Sequence, residues 1–278
     1  MIQDPTGPLV VVGGGRMGEA LASGLLRHGW PSAQLVVVET SPDRLGQLSG
    51  TGLTVAASLE EGMSLLRWGA GESGPVGAVI AVKPYDVEAV SRQLAQAGVA
   101  RALSIAAGVT LADLDRWLDP VAALRAMPNT PALVGAAASA VAPGHRASAD
   151  DVGWARTVLS AVGTVVDLPE PALDAVTGLS GSGPAYVFLI AEALIDAGVL
   201  VGLTRPVARE LAVQTLLGSA RMLAETGEEP SALRAAVTSP GGTTAAGLRA
   251  LETAGVRAAL LDAVAAATER ARELGRPH

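Results

Sequence analysis

The residues best placed to do chemistry begin at Gly13-Gly14-Gly15-Arg16-Met17-Gly18. This G-x-G-x-x-G pattern directly follows the apolar run Leu9–Val12 and opens a stretch of helical spacing from Met17 to Arg27. In that setting the first glycine makes a tight turn and the second lets backbone approach a pyrophosphate. The third lets strand and helix pack closely, leaving the phosphates on the helix N-terminus. The pattern predicts a dinucleotide held at Gly13, Gly15 and Gly18. Glu39 ends the next β-rich run, where an acid receives the ribose hydroxyls of NADH. Thr40-Ser41-Pro42-Asp43-Arg44 follows at once and offers hydroxyls and a guanidinium to a 2′-phosphate. NADPH and NADH therefore both stay open.

Three more segments fall at the ends of β-rich runs: Ala81-Val82-Lys83-Pro84, Ser104-Ile105-Ala106-Ala107-Gly108-Val109 and Met127-Pro128-Asn129-Thr130-Pro131. Ligands of open α/β sheets bind outside the carboxyl ends of the strands. Small residues there let a flat nicotinamide lie against the backbone. Ser239-Pro240-Gly241-Gly242-Thr243-Thr244 is a glycine turn feeding a helix from Ala245 to Glu252, with Thr243 or Thr244 expected as its N-cap. Free N–H groups and the helix dipole make such a turn an anion site, suited to a substrate carboxylate. Ser180-Gly181-Ser182-Gly183, before Pro184, reads either as a helix cap or as a polar wall of the site. Glu192 and Asp196, four apart with no third ligand near, read as an inter-helix structural feature, and no metal is expected.

These segments need elements to position them. Runs at Leu9–Val12, Leu35–Val38, 77–82, 102–105, 121–124 and 164–166 alternate with helical stretches, which predicts a parallel sheet covered on both faces. Beyond Leu168-Pro169-Glu170-Pro171 the strand signals stop and the chain reads helical. The boundary is placed there, giving a dinucleotide-binding domain over residues 1–168 and an all-helical substrate and dimerisation domain over 169–278. The stretch Ala185 to Val201, interrupted by Glu192 and Asp196, is expected to be a buried helix rather than a membrane span. A last helix carries an apolar stripe of Val256, Leu260, Val264, Ala267, Ala271 and Leu274. The alanine-rich helices offer little bulk for a core of their own, so a second copy of the chain is expected to cover them.

Composition narrows the functions. The 278 residues are 49% hydrophobic and only 17% charged, which excludes wholesale disorder. A net charge of −7 argues against nucleic-acid and polybasic membrane partners. With no cysteine and three scattered histidines, thiolate chemistry, iron–sulfur clusters and histidine metal centres are excluded. An acid near the start, at Asp4, is unlike a secretory signal, and a cytoplasmic protein is expected. Lys83 is the only lysine, so a dehydrogenase with a catalytic lysine in its helical half is ruled out.

The motifs at 81–84, 104–109 and 125–131, with Thr177–Tyr186 and Val237–Thr244, occur in an order that resembles the pyrroline-5-carboxylate reductase family. The likeness runs from about residue 9 to residue 275, and Ser239 to Glu252 is its most specific part. It implies a Rossmann-type α/β domain plus an all-α dimerisation domain, and NADPH- or NADH-dependent reduction of 1-pyrroline-5-carboxylate to L-proline. It implies that Val12, Gly14, Arg16, Met17, Ser41, Ser58, Ala81, Val82, Lys83, Pro84, Ile105, Ala106, Ala107 and Asn129 join Gly13, Gly15, Gly18, Glu39 and Arg44 around the cofactor. Glu170, Ser239, Gly241, Gly242, Thr243 and Thr244 would hold substrate, the loop coming from a partner subunit, with Ser239 and Thr244 catalytic. A homodimer within a larger ring such as a decamer is implied as well. Ala236 departs from the polar residue common in relatives. Another imine reductase, or a dinucleotide sensor without catalysis, remains the alternative.

Overall fold

A computed structural model describes residues 7–66 and 75–275. Among them an eight-stranded sheet is ordered β3-β2-β1-β4-β5-β6-β7-β8. In chain order the elements are β1 (Leu9–Val12), α1 (Arg16–Arg27), β2 (Leu35–Val38), α2 (Pro42–Ser49), β3 (Thr54–Ala56), α3 (Leu59–Leu65), β4 (Gly77–Ile80), α4 (Val87–Gln96), β5 (Arg101–Ser104), α5 (Leu111–Trp117), β6 (Ala122–Met127), β7 (Ala137–Pro143), α6 (Ala149–Ser160) and β8 (Gly163–Asp167). The helical part follows as α7 (Leu173–Val176), α8 (Gly183–Leu200), α9 (Arg205–Thr226), α10 (Pro230–Ala236), α11 (Thr243–Thr253) and α12 (Val256–Leu274).

The strands are near-continuous apolar runs because both of their faces are covered. Leu9, Val11, Val37 and Val79 point into one core with Leu21 and Leu25 of α1 and Trp154 and Val158 of α6. Val10, Val12, Val36 and Ile80 point into the other, with Val87 and Leu94 of α4 and Leu111 and Leu114 of α5. One departure from the expected parallel sheet is β7, which pairs antiparallel with β6 and parallel with β8. Neither β7 nor the three-residue β3 announces itself in sequence. Alanine-rich β7 is poor in β-formers, and the ladders on its two sides impose the extended state.

Two compact units result: residues up to Ser182 with the chain from Ala266 onward, and Gly183–Ala265. The last strand ends at Asp167, yet the first unit runs past the expected boundary at 168 because Leu173 of α7 is fully buried in its core. The end of α12 also belongs there, with Thr268 and Ala271 buried.

The second unit corrects an expectation. α8 is not a buried helix: none of its residues is buried in the single chain, and Phe188, Leu189 and Leu200 are well exposed. Its packing partner is α9, where a Cβ on Gly198 would lie 2.8 Å from the Ala208 Cβ, and Asp196 pairs with Arg205 at 3.0 Å. One neighbouring helix covers one side only. The run Glu170–Leu200 is long and apolar enough to cross a bilayer, by length and composition alone.

Packing at the start of β4 is tight enough to exclude a methyl group. A Cβ on Gly77 would lie 2.4 Å from Cζ2 of the buried Trp154. Gly77→Ala is expected to lower stability by about 2 kcal/mol, as overpacking of a filled core does. Thermal unfolding followed by circular dichroism measures it, and an unchanged midpoint would contradict this packing.

Candidate active site

The carboxyl ends of β1, β4 and β5 are brought level by the ladder: the Ala81 N–H donates to Val12 O at 2.8 Å and the Ile105 N–H to Ile80 O at 3.1 Å. Val12, Ala81 and Ile105 therefore stand side by side at one sheet edge, with the glycine loop directly above them in sequence. Gly13 has φ +106 and donates its N–H to Val38 O at 2.8 Å. A Cβ there would lie 2.7 Å from the Ala81 carbonyl, so only glycine fits. A Cβ on Gly18 would lie 2.0 Å from Gly13 O, which is the close strand-to-helix approach expected of the third glycine. Gly15, at the N-cap of α1, has open space where its Cβ would be. Above it the first-turn N–H groups of α1 have no helical acceptors, and Arg16 is exposed and Met17 half-buried at this rim. The loop thus fits the diphosphate of a dinucleotide.

Beyond β4, Val82 is half-buried while Lys83 and Pro84 are exposed, leading into a single helical turn over Pro84–Asp86. Beyond β5, Ala106 is buried, its N–H donating to Ser104 Oγ at 3.3 Å, and Ala107 is exposed. These positions offer small side chains and backbone at the sheet edge.

Several expected cofactor residues have other partners. Glu39 does stand at the glycine loop, where its Oε2 accepts from the Gly14 N–H at 3.0 Å. Its Oε1 accepts from the N–H groups of Thr40 at 2.8 Å and Ser41 at 2.9 Å. Arg44 is bonded within the protein through all three guanidinium nitrogens: Nε donates to Gly14 O at 2.7 Å, Nη1 to Gln47 Oε1 at 2.9 Å and Nη2 to Glu19 Oε2. Ser58 caps α3, its Oγ accepting from the Glu61 N–H at 3.2 Å. Asn129 is buried and held at both ends of its amide, Nδ2 donating to Ser180 O at 3.0 Å and Oδ1 accepting from the Ala138 N–H at 2.9 Å. It ties β7 to the helical turn after α7.

Glu170 is likewise bonded within the protein. Its Oε1 accepts from the Leu111 N–H at 2.6 Å, in the first turn of α5, and from Arg125 Nη1 at 2.8 Å. Arg125 sits inside β6 with its side chain 10% exposed, so a buried guanidinium needs this carboxylate. Arg125, Glu19 and Gln47 were not singled out from sequence, although a charged residue within the apolar run of β6 is itself a signal that a partner exists.

Ser180 to Gly183 does not cap a new helix. The Ser182 N–H donates to Thr177 O at 2.8 Å, making a single π-turn that carries helix from α7 into α8. Ser180 Oγ donates to Val176 O at 3.1 Å.

In the second unit the Ser239–Thr244 turn is built around Gly241, at φ +69, and closed by the Gly242 N–H donating to Ser239 O at 3.1 Å. Gly242, not a threonine, is the N-cap of α11; Thr243 and Thr244 are its first two helical residues. Their N–H groups point out of the helix start, with Ser239 exposed beside them. At the far end of α11, the Arg257 guanidinium bonds to Glu252 at 2.7 Å and holds that carboxyl below the usual carboxylate range.

A glycine loop on aligned parallel strand ends, followed by a helical second unit, defines a nicotinamide-dinucleotide-binding oxidoreductase. The profile for pyrroline-5-carboxylate reductase dimerisation matches residues 170–274, and that for NADP oxidoreductase, coenzyme F420-dependent, matches residues 8–67. Pyrroline-5-carboxylate reductase of Mycobacterium tuberculosis is 44% identical over 96% of both chains. That of Synechocystis is 42% identical over 96% of this chain and 98% of its own. The Coxiella burnetii pyrroline-5-carboxylate reductase structure has a TM-score of 0.88 at 34% identity, covering 98% of this chain and 100% of that one. The Plasmodium falciparum pyrroline carboxylate reductase, solved with NADP bound, has a TM-score of 0.82 at 29% identity over 97% and 98%. The chain belongs to the pyrroline-5-carboxylate reductase family.

The Glu170 pair separates a structural from a substrate role. Glu170→Ala is expected to lower stability by about 2 kcal/mol, because Arg125 is left buried without its counter-charge. The KM for substrate should stay within about twofold of wild type at a temperature where the variant is folded. Denaturant unfolding and steady-state kinetics measure the two effects. A large KM change with unaltered stability would return Glu170 to the substrate.

Proposed function

We propose that this chain reduces 1-pyrroline-5-carboxylate to L-proline with NADH or NADPH. The observation that carries the reading is a second anion-accepting turn, Ser239 to Thr244, in a chain that already has a dinucleotide loop. A sensor would need the loop alone, which weighs against the non-catalytic alternative. When bound, the reduced nicotinamide supplies the hydride for the imine carbon. Gly13, Gly14, Gly15 and Gly18 hold the diphosphate on the N-terminus of α1, and Val12, Arg16, Met17, Ala81, Val82, Lys83, Pro84, Ile105, Ala106 and Ala107 line the cofactor.

The substrate carboxylate sits on the N–H groups at the start of α11, with Gly241 and Gly242 giving the turn its shape and Thr243 lining it. Ser239 and the Thr244 hydroxyl are placed at the ring nitrogen. An imine protonated on nitrogen is already electrophilic, so positioning is the main demand on the protein. Lys83 serves through its backbone and forms no Schiff base. The absence of any other lysine fits such a mechanism.

The exposed apolar face of α8 is covered by a second copy, in keeping with the dimerisation profile over these residues. Glu192 and Asp196 within the run suit a protein partner better than lipid. We place the dimer in a larger ring such as a decamer, in the cytoplasm, with no membrane or nucleic-acid partner. Sedimentation at working concentration should give no active monomer.

Loss of NADH or NADPH absorbance on mixing with 1-pyrroline-5-carboxylate tests the reaction, and no loss with either cofactor refutes it. In the same assay Thr244→Ala is expected to reduce kcat by about 10²-fold, the usual scale for removing one donor aimed at developing charge. Gly242→Val should raise substrate KM instead, because a Cβ there would lie 2.3 Å from Ser239 Oγ and reshape the turn. Wild-type kinetics in both variants would remove this turn from the substrate site.

A further inference from the structure

We infer that the cofactor site selects NADH over NADPH, because the Glu39 carboxylate occupies the backbone donors that a 2′-phosphate would need. The inference rests on the dinucleotide-reductase reading above and deepens it. Three N–H groups converge on Glu39: Gly14 on Oε2, Thr40 and Ser41 on Oε1. Together they form an anion-binding turn at the end of β2, and its anion is the protein's own side chain. Gly14 is pressed against it; a Cβ there would lie 3.1 Å from Glu39 Cβ and 2.5 Å from Leu48 Cδ1. The carboxylate therefore has little room to swing toward the loop.

The nearby cation suited to balance a phosphate is also committed. All three guanidinium nitrogens of Arg44 have partners, Gly14 O, Gln47 and Glu19, and its side chain is 24% exposed. Arg44 is thus a positioning residue: it holds the carbonyl of Gly14, the residue whose own N–H donates to Glu39. A 2′-phosphate carries a charge near −2 at neutral pH. Admitting it would bring that charge against a carboxylate, or require Glu39 to abandon three hydrogen bonds. A ribose 2′-hydroxyl faces the opposite situation. A carboxylate has about four acceptor sites; three are filled, and the one remaining, on Oε2, accepts the hydroxyl proton of NADH. The geometry runs against the NADP of the profile matched over residues 8–67.

The test is equilibrium binding of NADH and NADPH to the full chain without substrate, read by tryptophan-to-nicotinamide energy transfer. NADH is expected to bind at least about tenfold more tightly, the scale of one charge-assisted hydrogen bond gained or lost. Glu39→Ala frees the three donors and should tighten NADPH while weakening NADH, narrowing or inverting the ratio. Arg44→Ala should weaken both cofactors alike. Competition by ADP-ribose and by its 2′-phosphate gives the same comparison on unaltered protein should a variant fail to fold. Equal or tighter NADPH binding by the wild-type chain overturns the proposal. So does an Arg44→Ala variant that loses only NADPH. None of these readouts involves the imine. A chain that binds NADH selectively but does not oxidise it with 1-pyrroline-5-carboxylate would refute the reaction and leave the selectivity standing.

Discussion

The close approach of the β1–α1 turn to the end of β4 governs the first unit. Gly13 lies against the Ala81 carbonyl and Gly18 against Gly13 O, with no room for a side chain at either point. Helix α1 can therefore begin directly over the sheet edge, with its N-terminal N–H groups facing the space beyond the strands. The same contact lets Leu21 and Leu25 reach the core beneath. A parallel sheet buried on both faces forces each crossover to return to the same end. The loops after β1, β2, β4 and β5 are thereby gathered at one edge, so the covering of the sheet and the location of the site have a common cause.

Polar residues near that edge do two different jobs. Gly15 and the strand-end backbones leave groups open to a ligand, whereas Asn129, Glu170, Arg44 and Ser58 are bonded within the protein. Asn129 and the Glu170–Arg125 pair join the sheet to the chain running into α8. A buried amide or guanidinium without such partners would be strongly destabilising.

The helical unit has the opposite character. α8 and α9 touch through Gly198 and Ala208 and an exposed Asp196–Arg205 pair, and much of their apolar surface faces outward. So large an exposed patch marks an interaction surface. This fits the profile for dimerisation over residues 170–274 and a chain whose second unit is completed by another copy.

The sequence by itself determined the two-part organisation, most strands, and the glycine loop, because buried parallel strands and close backbone approaches each leave a local signature. Apolar runs and spaced glycines are constraints on single segments. The short β3 and alanine-rich β7 were not legible, since pairing with neighbours remote in sequence makes them strands. The shape of the Ser239–Thr244 turn was legible, but the N-cap fell to Gly242, a difference set by the left-handed Gly241 before it. Only the tertiary structure decided which polar residues are bonded within the protein. Glu39 and Arg44 look equally available in sequence. Their fates were settled by Gly14, Glu19 and Gln47, because a hydrogen bond depends on distance in space and residue types alone do not report it.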